Sequence, residues 1–305
     1  MGQTGKNYYF AIKAEPVSIG TPDATVTGAA KMRLNAITAP HLGQALIMPS
    51  EIRADGKTNL PRLGTQAGDG TLVADLRPTE HDPYLEASLR GTWAANVLVP
   101  GLTRRSYTGE ITEVDIDTST LSKGIRFGGF HLTGAPDEPC HIEYPIAFIK
   151  QSIVTGASSP FYTTPSVGTT EMMVATDAAI TIDASPVLDL TSFDLTVSNG
   201  LQLAKVVGSP YSPDVYESNF TISGTLTALR TTAARQSAYL AGTPFALVLT
   251  FSVPGAASTL AFTFPNLLAT DFTLPLGNDG PAVATINVAG GVVGASEMIS
   301  ITRVP

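Results

Sequence analysis

Alternation of apolar and polar positions dominates this chain. In PFALVLTF, Phe245, Leu247, Leu249 and Phe251 alternate with Ala246, Val248 and Thr250, a period of two that gives a strand one apolar face. LAFTF repeats the device with Leu260, Phe262 and Phe264. The intervening SVPGAAST carries a Pro-Gly turn signal, so 245–264 is expected to fold as a β-hairpin. Further strands are expected at 193–197, 219–226, 283–288 and 298–303, and in the first half near 26–34, 70–76, 105–112, 124–133 and 141–149. In NFTISGTLTAL, Phe220, Ile222 and Leu226 face one way and Asn219, Thr221, Ser223 and Thr225 the other. That second face is polar but uncharged: it reads either as an ordinary solvent face or as one that desolvates cheaply against a neighbouring subunit.

A helical pattern occurs once in each half. The first starts near Thr79, where Thr-x-x-Asp (Thr79, Asp82) resembles a capping box and Pro83 stands in the first turn; Leu85 and Leu89 share a face, and Gly91 ends it. The second starts at Thr231 or Thr232, aligns Ala233 with Leu240 and stops at Gly242. Both sit in matching text. DGTLVADLRPTEHDPYLEASLRGT (69–92) is echoed by SGTLTALRTTAARQSAYLAGT (223–243), pairing Gly70 with Gly224, Leu72 with Leu226, Tyr84 with Tyr239, Leu85 with Leu240 and Gly91 with Gly242. Between the halves, TGASSPFYTTPSVGTT (155–170) has the composition of a linker. The expectation is a tandem duplication with its boundary near residue 160, giving domains 1–158 and 159–305. Each would hold several strands and one short helix, hence a mainly β chain of two β-sandwich or barrel units.

The first half carries a long stretch without either periodicity, HLGQALIMPSEIRADGKTNLPRLGTQAG (41–68), punctuated by Pro49, Gly56, Pro61 and Gly64. Loops of this length are contact elements or mobile surface segments. Its counterpart, NGLQLAKVVGSPYSPDVYES (199–218), is shorter.

Composition sharpens the picture. Hydrophobic residues make up 43% of the 305 positions and charged residues 14%, well below the ~25% charged fraction usual for soluble domains. A surface so poor in charge is expected to be covered by partners, as in an oligomer. The formal charge is 18 − 26 = −8 with Lys and Arg scattered, which leaves no footprint for gripping phosphates. One cysteine, Cys140, excludes an internal disulfide framework. No stretch approaches 18 consecutive apolar residues, and MGQTGKNYYF lacks the basic and apolar regions of a signal peptide, so a cytosolic origin without membrane association is expected.

Candidate chemistry is sparse. His41, His81, His131 and His141 stand in no meaningful spacing, and G-x-S-x-G, P-loop and G-x-G-x-x-G motifs are absent. Cys140-His141 lacks the remaining ligands of a metal site and reads as a small buried cysteine beside a strand-initiating histidine. EVDIDTST places Glu113, Asp115 and Asp117 on one side of an expected strand, a solvated acidic face without the Gly and distal Glu of an EF-hand. No catalytic residue, cofactor or metal is assigned, and the chain is not read as an enzyme.

PSEIRADGKTNLPRLGTQAGDGTLVADLRPTEHDPYLEASLRGTW (49–93) is the stretch that most resembles a known family, through Ser50-Glu51-Ile52-Arg53-x-Asp55, Gly70-x-Leu72 and the acidic-Tyr-Leu helix running to Gly91-Thr92-Trp93. RRSYTGEI, IRFGGFHLTG, LTSFDLTVSNGLQLAKVVGS, Phe-Thr-Phe-Pro at 262–265 and the closing ISITRVP continue it from about residue 25 to the end. The family is the tail tube proteins of long, non-contractile bacteriophage tails, in duplicated-domain form. NAITAPHLGQALIMPSE departs from it, since Pro40 and Pro49 interrupt what is usually one continuous strand.

The resemblance implies a structural virion subunit, assembled in the host cytoplasm, that polymerises into stacked rings around a conduit for DNA ejection. Single-domain relatives form rings of six, so two domains per chain imply three copies, carrying 3 × (−8) = −24. Tape measure, tail terminator and distal tail proteins are the implied partners, and genomic DNA passes without specific binding. Asp115, Asp117, Asp194 and Asp271 are the candidate lumen carboxylates. Glu51, Arg53, Asp55 and Lys57 of the 41–68 loop are the candidate contact between successive rings. A gene-transfer-agent or secretion tube is the allied alternative. A monomeric carbohydrate-binding or adhesin β-sandwich is the distant one, poorly served by a single Trp and 7% aromatics.

Overall fold

A computed structural model describes residues 7–16, 18–275 and 280–304. Residues 1–6 of the opening decapeptide and Pro305 of ISITRVP lie outside the described residues. The first half contains β1 (Tyr8–Ala14), β2 (Ala30–Met32), β3 (Leu34–Ile47), β4 (Arg62–Asp75), α1 (Asp82–Leu89), β5 (Val97–Leu98), β6 (Tyr107–Glu113), β7 (Thr118–Phe127), β8 (Gly129–Gly134), β9 (His141–Phe148) and β10 (Lys150–Thr155). The second contains β11 (Ser166–Val167), β12 (Ala179–Ile182), β13 (Ser185–Pro186), β14 (Leu190–Ser198), β15 (Gln202–Leu203), β16 (Val215–Tyr216), β17 (Thr221–Leu229), α2 (Ala234–Ala241), β18 (Phe245–Ser252), β19 (Thr259–Thr273), β20 (Val283–Gly290) and β21 (Ser300–Val304). Among the described residues the chain is mainly β, as its period-two pattern predicts, with two short α-helices and no closed barrel.

The same order of pairings occurs twice. One layer runs β3-β4-β9-β8 in the first half and β14-β17-β20-β19 in the second. The facing layer runs β2-β1-β6-β7-β10 and then β13-β12-β18-β19-β21. One long strand serves both layers in each half. After pairing with β6, β7 reaches β9 through Arg126↔Ala147 and Phe127↔Ile146 and resumes past Gly128 as β8. Likewise β19 leaves β18 near Leu267 and follows β20 to Thr273.

The halves are joined by strand pairing in both layers. β8 runs antiparallel to β14 from Gly129↔Ser198 to Gly134↔Phe193, while β5 adds to the edge of β21 through Leu98↔Ile301. Gly129 has φ +103, and a Cβ there would strike the Val197 carbonyl, so only glycine lets these strands approach. The core crosses the join as well: Phe130 of β8 lies beside Phe262 of β19 with ring centroids 5.7 Å apart. Both are fully buried, which stabilises the join by ~1.5–3 kcal/mol per ring.

Several sequence expectations are corrected. The stretch 41–68 is not a loop: β3 and β4 pair through His41↔Asp69, Gly43↔Ala67 and Leu46↔Leu63 out to Ile47↔Arg62, leaving 48–61 as the connection of a projecting arm. Pro40 does not interrupt β3, because the register shifts between Thr38 and His41, a bulge at which a missing N–H is tolerated. α1 starts at Asp82 with His81 as N-cap and no side-chain cap; Thr79 has φ 63, so the capping box is not formed. Its left-handed C-cap is Arg90, one residue before Gly91. α2 is capped by Ala233 rather than a threonine, since Thr231 Oγ1 donates instead to Asp189 at 2.7 Å. Gly242 ends it as expected. The helix landmarks also part company, for Tyr84 and Leu85 are buried whereas Leu240 is 76% exposed. EVDIDTST is a turn between β6 and β7, with a 3-10 turn at Val114–Ile116 and Asp117 left-handed. The Ser/Gly-rich 155–170 stretch is pinned: buried Glu110 accepts the backbone N–H groups of Phe161 at 2.6 Å and Tyr162 at 2.8 Å.

Candidate functional site

Cross-strand partners share a face of a sheet, so register alone places the outward residues of the first layer. One row reads Asp75, His141, Thr133, Asp194, Thr225, Asn287, Asp271, each paired with the next across β4, β9, β8, β14, β17, β20 and β19. The adjacent row reads Glu143, His131, Thr196, Ser223, Ala289, Leu268. The intervening residues, among them Leu132, Leu195, Leu226 and Val288, are buried on the opposite face. These two rows therefore carry carboxylates, histidines and hydroxyls but no Lys or Arg. Asp194 and Asp271, two of the candidate lumen residues, lie in one row; Asp115 and Asp117 lie at the β6-β7 turn, away from it. Asp115 is bonded there to the Asn7 side chain.

Three of the four histidines make structural contacts on and beneath this face, while His41 is exposed on β3. His131 bridges Glu143 at 3.3 Å and Asp194 at 2.9 Å, and His141 meets Asp75 at 3.1 Å. His81 is buried against Tyr144, ring centroids 5.8 Å apart, with Nε2 on the Asp75 carbonyl at 2.9 Å and Nδ1 on the Tyr144 hydroxyl at 3.2 Å. Burial pulls its pKa down to about 4. Cys140 is buried, its thiol pushed up to about 12 by burial, and His141 opens β9. Among the described residues no three His, Cys, Asp or Glu side chains gather as a metal site.

At the arm tip the charged candidates form a network of their own. Arg53 holds Asp55 through Nε at 2.9 Å and Nη2 at 2.8 Å, and the Lys57 amide donates to Asp55 at 3.2 Å. Asn59 links Arg53 to Glu51. The Arg53 hydrogen bonds hold the Asp55 carboxyl below the usual range. The groups left without company are apolar: Leu46, Met48, Ile52, Leu60 and Leu63 are all more than half exposed. Sequence reasoning singled out the charges and missed these residues, although Leu46, Ile47 and Met48 stand consecutively in the text.

The counterpart segment 199–218 behaves differently. It folds onto the first half as the β15-β16 hairpin, where Leu201, Leu203 and Val215 pack on Ile19, Ala147 and Ile149. An ionic cluster seals it: Arg104 meets Asp214 at 2.8 Å and Glu217 at 3.2 Å, and Arg126 meets Asp214 at 3.0 Å. Arg90 adds a longer contact to Glu217 at 3.7 Å.

What these surfaces offer is assembly: an uncovered apolar arm, an acidic sheet face and strands that end in open edges. The sequence profile of phage tail tube proteins matches residues 5–292, nearly the whole length. The chain belongs to the phage tail tube protein family. No curated protein is similar enough to this chain to be matched. A phage tail tube protein is a structural component of the virion tail, and the family implies self-assembly into a tube in company with other tail proteins.

Proposed function

We propose that this tail tube protein forms trimeric rings that stack into the tail of a non-contractile, siphophage-type particle and line its DNA ejection channel. The observation that carries this reading is the β8-β14 junction. β8 closes the first-layer sheet of the first half and β14 opens that of the second. Among the described residues, β3 and the 269–273 part of β19 are the corresponding strands whose outer edges remain unpaired. An unpaired edge is a template for another strand. Repeating the internal junction between copies joins β19 of one to β3 of the next, head to tail, and such a heterologous contact closes a ring when its rotation allows.

The matched pairings of the two halves support an internal duplication, with domains 1–158 and 159–305 as sixfold pseudo-equivalents. Closure turns the outward face of the first layer toward the lumen, so Asp194 and Asp271, with Glu143, line the channel and repel phosphate. The arm tip, with Glu51, Arg53, Asp55 and Lys57, reaches the next ring. In this reading the subunit is non-enzymatic, assembles in the host cytoplasm, and meets tape measure, terminator and distal tail proteins along or at the ends of the tube.

Negative-stain microscopy of the purified protein tests it. Annular particles with threefold symmetry and tubes of constant width are expected; a protein that stays monomeric at tens of micromolar would falsify the reading.

A further inference from the structure

The two hairpins at the start of each half's first layer, the β3-β4 arm and β15-β16, differ in one respect that can be followed residue by residue. In the second half, the cross-strand pair Leu203↔Val215 is covered by its seat on Ala147 and Ile149 of the first half. In the first half, the arm carries an apolar cross-strand pair of its own, Leu46↔Leu63, and it is bare, with 59% and 69% of the two residues exposed. Counting the seat across the repeat locates its twin. Ile146 pairs with Gly70 and Val288 with Gly224, so Ala147 corresponds to Ala289 and Ile149 to Gly291. Across the ladder from these stand Arg126 and Leu268. Leu268, opposite Ala289, and Val292 and Val293, which follow Gly291, are apolar and open, 40%, 56% and 59% exposed.

We propose that the arm of a neighbouring copy seats Leu46 and Leu63 on the Leu268, Ala289, Val292 and Val293 surface, as Leu203 and Val215 seat on Ala147 and Ile149 within the chain. The occupant is a second copy because the internal join shows the same contact already made between adjacent halves. This rests on the ring reading above and assigns the base of the arm to the contact within a ring, leaving its tip for the next ring.

The intermolecular contact differs from the internal one in its chemistry. Arg126, which meets Asp214 and Glu217 in the internal seal, is replaced at the twin position by Leu268. The ionic seal thus has no counterpart, and the seat is apolar. Apolar contacts survive salt that screens ion pairs, so rings are expected to persist from low salt to molar salt.

The test is a cysteine pair. Cys140 is buried and does not compete. With Leu63→Cys and Val292→Cys in the same chain, oxidation is expected to give a covalent ladder ending at three chains. Separately, Leu63→Asp and Val292→Asp are each expected to abolish rings while the circular dichroism of the monomer stays that of the wild type. An equimolar mixture of these two Asp variants retains one intact arm and one intact seat per pair, and should stop at dimers. If wild type forms rings but Leu63→Asp does too, or the cysteine pair gives no interchain bond, the arm assignment fails while the ring reading stands. A wild type that forms no ring overturns both.

Discussion

At Asp82 and His81, adjacent residues at the start of α1, burial shifts two pKa values in opposite senses. His81 is neutral in the fold: Nε2–H donates to the Asp75 carbonyl and Nδ1 accepts from Tyr144. Its folded pKa is lowered to about 4; its contribution is therefore complete above the unfolded value near 6.5 and is lost as pH falls toward 4. Asp82 is raised to about 6 by burial, with Arg303 pulling the other way. The fold thus takes up a proton there before the unfolded chain does, and stability gained below pH 4 is lost as pH rises through 6. Asp82→Asn removes only the second effect. Stability of the wild type relative to Asp82→Asn should rise by roughly 2–3 kcal/mol between pH 7 and pH 4, read from urea denaturation of both at each pH. A difference that stays flat with pH would mean that Arg303 keeps Asp82 ionised throughout.

Elements are held by unequal contacts, and the 199–218 hairpin makes this measurable. Arg126 and Glu217 have side chains 8% and 3% exposed, while Arg104 is 37% exposed. Truncating a buried partner strands the opposing carboxylate, which costs about 3–5 kcal/mol, whereas an exposed pair is worth about 0.2–1 kcal/mol. Arg126→Ala should therefore lower stability severalfold more than Arg104→Ala in urea denaturation, and equal losses would contradict the burial argument. The arm shows why elements escape a reading of the sequence. Strands 41–47 and 62–68 have no regular alternation because, beyond Leu42 and Gly68 at its base, the arm has no core side to hide, yet their backbones pair. Periodicity reports one-sided burial, and hydrogen bonding between exposed strands leaves no such trace.

For the whole molecule, the sheet face is the quantity to test. The charges in its two rows are Asp75, Glu143, Asp194 and Asp271 with two histidines. Assembled tubes are expected not to co-sediment with short duplex DNA even at low salt. Converting Asp194, Asp271 and Glu143 to Lys together should make co-sedimentation appear and vanish again as salt rises, since neutralised phosphates release counterions. Binding of DNA by the wild type at low salt would remove this face from the channel wall.

By itself, the sequence determined the strand content, the positions of most strands and the repeated Gly-Thr-Leu strand in which Leu72 and Leu226 are both buried, because these follow from local alternation. It also marked Asp194 and Asp271 as strand carboxylates. Only the tertiary structure decided that those two share a row while Asp115 and Asp117 do not, that the 41–68 stretch is a paired arm, and that Leu85 is buried where Leu240 is exposed. The reason is physical: a residue's side of a strand is a local property, but its neighbours across strands are set by register between segments as far apart in the chain as Leu98 and Ile301.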